Sequence, residues 1–186
     1  MANPTATEVA VGKPRATGGV YSGATSATLP TNATAALHAS LSGLGYVSED
    51  GLTQTKAGDI TQVRAWGGSV VRVIKTTDDL SYSWSFLETT RATLIETFGA
   101  DNVSSVDSYG GYSVTLNGNQ IGTRSFVFDM LDGTQAIRIV VPVGQIDGNV
   151  TVNFVDGAPV AFPVNLIATA DASGNKAYMY ISKFGS

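Results

Sequence analysis

Alternation of apolar and polar positions is clearest in LSYSWSF, residues 80–86. Leu80, Tyr82, Trp84 and Phe86 point one way there and Ser81, Ser83 and Ser85 the other, which predicts a strand with one apolar face. Directly behind it the period lengthens to about 3.6 residues. Leu87, Arg91, Leu94, Ile95 and Phe98 share one face of a helix that Thr89 or Thr90 caps and Gly99 stops. Leu87, Leu94, Ile95 and Phe98 are expected to pack that helix against a sheet. Upstream, DITQVRAW and SVVRVIKTT are rich in β-branched residues and meet at Gly67-Gly68, predicting a hairpin. Downstream, GYSVTL, IGTRSFVFDM and QAIRIVVPVGQI are separated by Asn117-Gly118 and Asp132-Gly133. Both dipeptides tolerate the positive φ of tight turns, so a three-stranded antiparallel meander is expected. VAFPVNLIATA and KAYMYISKF, divided by DASGN, read as two further strands.

The first half is less regular. TEVAVGKP and TGGVYSGAT read as short strand-like pieces, and residues 24–34 as a surface loop. Leu37, Leu41 and Leu44 fall at helical spacing, predicting one or two short turns of helix ended by Gly43 or Gly45. The whole reads as a mainly β protein: an antiparallel β-sandwich or barrel with one flanking α-helix. Residues 1–186 are taken as one domain, with an N-terminal arm over about 1–16 and a long loop region over about 24–58.

Composition sharpens this picture. At 186 residues, 43% hydrophobic and 14% charged with 21 glycines, the chain is too apolar for disorder and too often interrupted for a helical bundle. There is no cysteine, which removes disulfides, thiolate metal sites and thiol nucleophiles. The N-terminus has no basic start followed by an apolar run, and no stretch approaches the roughly 18 apolar residues of a spanning helix; a fold completed in a cytoplasm, without a membrane segment, is the expectation. Net charge is −4, and the eleven Lys and Arg are scattered, so phosphate neutralisation on the scale of tight nucleic-acid binding is excluded.

Candidate chemistry is sparse. His38 is the single histidine, and no nucleophile-elbow pattern accompanies the many serines. Glu49-Asp50 and Asp78-Asp79 are sequence neighbours, which point to opposite faces of an extended chain and suit turns better than an acid and base pair. DASGNK, residues 171–176, lacks the alternating ligands and terminal glutamate of a calcium-binding hand and reads as a hairpin loop. Asn32, Asn102 and Asn149 begin glycosylation-type tripeptides, as expected by chance in a chain this rich in Ser and Thr. Gly43-Leu44-Gly45 lacks the third glycine and the preceding strand of a dinucleotide site. Trp66-Gly67-Gly68 reads as a hairpin corner with an aromatic over the glycines, or as a sugar-stacking tryptophan. No catalytic residue, metal or cofactor is assigned.

Taken in order, GYVSEDG, RAWGG, SWSFLETTRATLIETFG, VDGAPVAFPV and DASGNKAYMY resemble the major tail tube proteins of long-tailed, non-contractile bacteriophages, over about Val9 to Phe184. The resemblance implies a β-sandwich subunit with a flanking helix, forming hexameric rings that stack into a hollow tube for genome delivery. It further implies a place in the virion tail, assembly in the host bacterial cytoplasm, and tape measure, tail tip and tail terminator proteins as partners. Double-stranded DNA would pass without specific binding. Loops and the N-terminal arm would serve contacts between rings, and the immunoglobulin-like appendage of some members is not expected here. Physical reasoning agrees: unpaired strand edges are a liability that pairing with a neighbour removes, and QAIRIVVPVGQI carries only Arg138 as a guard. In GYVSEDGLTQT, residues 45–55, Tyr46 and Val47 could anchor an inter-subunit contact with Glu49 and Asp50 as its wet rim; alternatively Tyr46 and Val47 start a strand in their own core. A carbohydrate-binding β-sandwich and the inner tube of a contractile tail or injection machine are the other readings.

Overall fold

The computed structural model describes residues 9–15, 18–133 and 135–183. Among them the chain forms strands β1 (Val20–Gly23), β2 (Ser42–Gly43), β3 (Thr53–Ala57), β4 (Ile60–Arg64), β5 (Val70–Lys75) and β6 (Asp79–Phe86), then helix α1 (Arg91–Phe98), then β7 (Arg124–Asp132), β8 (Gln135–Ile146), β9 (Phe162–Thr169) and β10 (Tyr178–Lys183). The protein is mainly β and antiparallel, with one helix. Its main sheet runs β2-β1-β7-β8-β9-β6-β3, with β10 also on β8, while β4 and β5 form a separate pair.

β8 is long enough to serve two neighbours on one edge. Its first half, Gln135 to Val140, pairs with β10, and Val143 to Ile146 pair with β9. Pro142 sits at the change of partner and has no N–H for a ladder. Opposite it the β7 register shifts between Arg124 and Phe126, and the Ser125 hydroxyl donates to the Pro142 carbonyl at 2.6 Å. A bulge of this kind bends the strand.

The bend lets the sheet roll until β6 faces β7. Tyr82 stacks on Phe128 with ring centroids 5.4 Å apart, and Trp84 meets Phe126 and Phe128 edge-on at 5.9 and 5.2 Å. The alternation read in residues 80–86 thus faces the core: Tyr82, Trp84 and Phe86 are buried and Leu80 packs against them. Closure is completed by residues 42–57, whose start and end are the two margins of the strand order. Gly43 pairs with Tyr21 of β1, Val47 bridges Phe86 of β6, and Thr53 pairs with Ser83.

Helix α1 begins after Thr90, whose hydroxyl accepts the Thr93 N–H, and stops at Gly99, where φ is 93° and the N–H reaches the Ile95 carbonyl. Leu87 lies outside it. Its N–H donates to the Tyr46 carbonyl at 3.0 Å, so it prolongs the β6 ladder, whereas Leu94, Ile95 and Phe98 do face the core. The buried helix face is also more polar than its leucines imply, since Thr93, Glu96 and Thr97 are buried with Leu94.

Four other sequence expectations need correction. Residues 37–44 form no helix; the Leu41 N–H closes a turn onto the His38 carbonyl, and Leu41 and Leu44 enter two different apolar clusters. Asn117-Gly118 does not join two strands. GYSVTL contributes one bridge, Val114 to Val103, Asn117 spends its side chain on Asn102 and the Asn119 N–H, and Gly118 does not adopt positive φ. At the β7–β8 hairpin Asp132 still belongs to the ladder, opposite Gln135; Gly133, with φ of 57°, is where the chain turns. In the region expected to be one long loop, β2 and β3 are strands. Residues 1–8 and 16 of the expected arm lie outside the described residues. Residues 13–15 run beside β7, with a bridge from Pro14 to Met130.

Candidate assembly surfaces

The β4–β5 hairpin stands off the rolled sheet. Asp59 and Thr76 close its base backbone to backbone at 2.9 Å, and Thr77 accepts the Asp59 N–H at 2.7 Å. Lys75 pairs with Asp78, which lowers the pKa of that exposed carboxyl through the lysine's hydrogen bond. At the tip, Ala65 and Ser69 pair around Trp66, Gly67 and Gly68, with φ of 107° and 90° at the two glycines. All residues of both strands are exposed, among them Ile60, Val63, Val70, Val71, Val73 and Ile74. Trp66 is fully exposed and covers nothing, contrary to the corner expected of it. A two-stranded ribbon with apolar side chains on both faces is marginal in water by itself. The run VVRVI already departed from alternation, which is the signal that neither face was meant for solvent.

A groove of about 390 Å³ opens beside the closing segment. It is lined by Val20, Val47, Leu52, Phe128 and Met130, with Tyr46 and Glu49 among the others. The four residues read from GYVSEDG separate here. Val47 is half-buried against its own core, as in the strand alternative, while Tyr46 remains 63% exposed and Glu49 and Asp50 face outward. Glu88 holds the Tyr46 N–H at 2.9 Å. Gly45, at φ of 78°, is pressed so closely on that carboxylate that a Cβ would lie 2.3 Å from it.

β10 presents one open margin of the large sheet, beside β2 and β3 at the two ends of the strand order. One of its edges pairs with β8, and no strand among the described residues covers the other. Met179 and Ile181 are exposed on one face, and Tyr178 and Tyr180 stack with centroids 6.4 Å apart on the other. Arg138 does not guard a margin, because β8 has neighbours on both edges and Arg138 is 1% exposed. Its guanidinium meets Asp129 at 2.8 Å and donates to the Asn32 and Ala35 carbonyls at 3.0 and 2.8 Å. A second buried carboxyl, Glu96, accepts the Ser22 hydroxyl at 2.7 Å and lies 2.8 Å from the Arg124 Nε. That nitrogen's N–H is not aligned for a hydrogen bond, so the contact is a charge pair. Burial raises the Glu96 pKa despite Ser22 and Arg124. Neither buried pair was visible in the sequence.

The remaining candidates are local. His38 sits in an exposed turn where its Nδ1 accepts the Ser40 N–H at 3.2 Å. Asp171 uses one carboxylate oxygen on the N–H groups of Ser173 and Asn175 and the other on the Tyr178 hydroxyl, which lowers its pKa; the DASGN loop is held by its own donors. No cluster of carboxylates and histidine fit for a metal occurs among the described residues. No described helix is long and apolar enough to cross a membrane.

The profile of a family described as phage tail tube protein matches residues 4–184. Among solved structures, the cryo-EM structure of the anti-feeding prophage cap (AFP tube terminating cap) is similar, at 11% identity and a TM-score of 0.47, covering 96% of this chain and 98% of that one. No curated protein matches the chain.

Proposed function

The chain belongs to the phage tail tube protein family, and from that premise we propose that identical copies close into hexameric rings that stack into the hollow tube of a non-contractile tail. As a member of that family it is a structural component of the phage tail. The observation that carries the finer reading is the β4–β5 hairpin. It holds six exposed Val and Ile and a bare Trp66, and covering apolar surface of this kind is worth about 25 cal/mol per Å². A second copy is the partner that a tube supplies in every ring. The free edge of β10 offers a ring neighbour backbone groups to pair.

Charge supports the conduit. With a net charge of −4 and eleven scattered Lys and Arg, the wall lacks the basic stripe that would grip DNA by releasing its counterions, so the genome slides through. The subunit acts as one tube domain, does no catalysis, and works in the virion tail after assembly in the host cytoplasm with tape measure, tail tip and tail terminator proteins. Trp66 gives the carbohydrate reading its one supporting observation, but the Arg64 guanidinium beside it is already spent on the Gly68 carbonyl and the Gln62 side chain.

Negative-stain microscopy of the purified chain over a range of concentrations tests this. Hollow rods with a regular ring repeat are expected. Featureless monomers at every concentration, together with glycan capture that Trp66→Ala abolishes, would replace the tube by the sugar-binding reading.

A further inference from the structure

The exposed hairpin and the apolar groove have matching chemistry at opposite ends of one strand. We propose that Trp66 of one copy docks head to tail into the groove lined by Val20, Val47, Leu52, Phe128 and Met130 of a second copy, a contact that rests on the tube reading and assigns its ring-to-ring joint.

Shape and apolarity come first. The groove, of about 390 Å³, has an aliphatic and aromatic floor, and Trp66 is an indole with nothing over it. Charge agrees. β4 and β5 carry Arg64 and Arg72, besides the Lys75 that pairs with Asp78, and no carboxylate, whereas Glu49 stands on the groove wall, the other lining carboxylate, Asp129, is paired with Arg138, and among the described residues no lysine or arginine lines the groove. Asp50 stands exposed beside Glu49. Complementary signs of this kind orient two surfaces and speed their encounter.

The same copy does not supply the occupant, since its own Trp66 stands fully exposed. The hairpin leaves the sheet at Asp79, where β6 begins and pairs with Ala57. The groove adjoins β6 at Phe86, where Val47 bridges it, roughly 23 Å away along an extended strand. A knob at one end and a socket at the other make a heterologous contact, which builds a filament where the rotation between copies does not close a ring.

The tip is also set before it binds. Arg64 donates to the Gly68 carbonyl at 2.9 Å and to the Gln62 side chain at 2.7 Å, and Ala65 and Ser69 close the loop beneath Trp66. Little order remains to be imposed on docking, which favours binding.

The absence of native cysteine makes disulfide trapping direct. Ala65→Cys beside the knob and Ser48→Cys on the groove wall, placed in one chain, are expected to give on oxidation a ladder of dimers, trimers and longer species, and neither single variant a ladder. Trp66→Ala is expected to raise the concentration needed for rods by more than about tenfold, with an unchanged thermal midpoint, and Trp66→Phe to restore most of the loss. Rods without a ladder, a disulfide confined within one chain, or Trp66→Ala rods at the wild-type concentration would overturn the docking and leave the tube reading standing. A ladder from protein that forms no hollow rods would uphold the docking and remove the tube.

Discussion

Asp129 and Arg138 lie directly opposite each other on β7 and β8, both almost wholly buried. Replacing one partner of such a pair strands the other charge away from water, which costs about 3–5 kcal/mol. Asp129→Ala is therefore expected to lower the unfolding free energy by that amount in urea titrations. Because Arg138 also holds the carbonyls of Asn32 and Ala35, the same variant should make residues 32–35 more susceptible to proteolysis. Glu96 gives a pH signature. Its pKa is raised above 4.5, chiefly by burial, so between 4.5 and the raised value the native state binds more protons than the unfolded chain. Stability from this group is then greatest below that window and falls as pH rises through it. The difference in urea midpoint between Glu96→Gln and wild type is expected to shift in favour of the variant across that window; a difference constant with pH would refute the assignment. The charges escaped the sequence because the pattern around them is uninformative. Residues 125–129 are all buried, so Asp129 interrupts a strand covered on both faces and shows no alternation from which a core position could be read.

Among the elements, α1 was legible because its signals are local. The Thr90 hydroxyl caps its first turn and Gly99 its last, so Thr90→Ala is expected to cost about 1 kcal/mol, measurable as a lowered urea midpoint with an unchanged slope. Strand β6 was legible for a similar reason, since one face meets the core and the other does not. Tyr82, on the buried face, has its phenol pushed up to about 12 by that burial. The misread elements have their causes elsewhere in the chain. Leu37, Leu41 and Leu44 mimic a helical face, yet Leu41 packs with Val127 and Val140 while Leu44 joins Tyr82 and Trp84; two cores on two sides of the sheet produced one apparent stripe. Asn117-Gly118 has the composition of a hairpin turn, but the Asn102 side chain claims Asn117. Leu87 fits the helical period and is taken by the Tyr46 carbonyl. In each case a partner distant in sequence outweighed the local preference.

For the whole molecule, the closing segment changes what drives assembly. If the sheet margins stayed unpaired in a single copy, edge pairing alone would account for association, but residues 42–57 join β1 to β6 within one chain. The unsatisfied surface then lies on the outer edges of β10, β2 and β3 and on the hairpin, and of these only the hairpin exposes Val and Ile on both faces. It contributes nothing to either buried cluster. Folding and assembly should consequently separate. Replacing residues 60–75 by a short Gly-Ser turn between Asp59 and Thr76 removes no core contact, so the unfolding free energy is expected to stay within about 0.5 kcal/mol of wild type, as for surface changes. Sedimentation of the same variant should show no rods, with rings remaining where β10 joins neighbours. If the shortened chain unfolds instead, the hairpin serves its own subunit; if it still elongates, the joint between rings is made by another surface. Retention of the fold with loss of elongation is the pairing that the detached position of β4 and β5 requires.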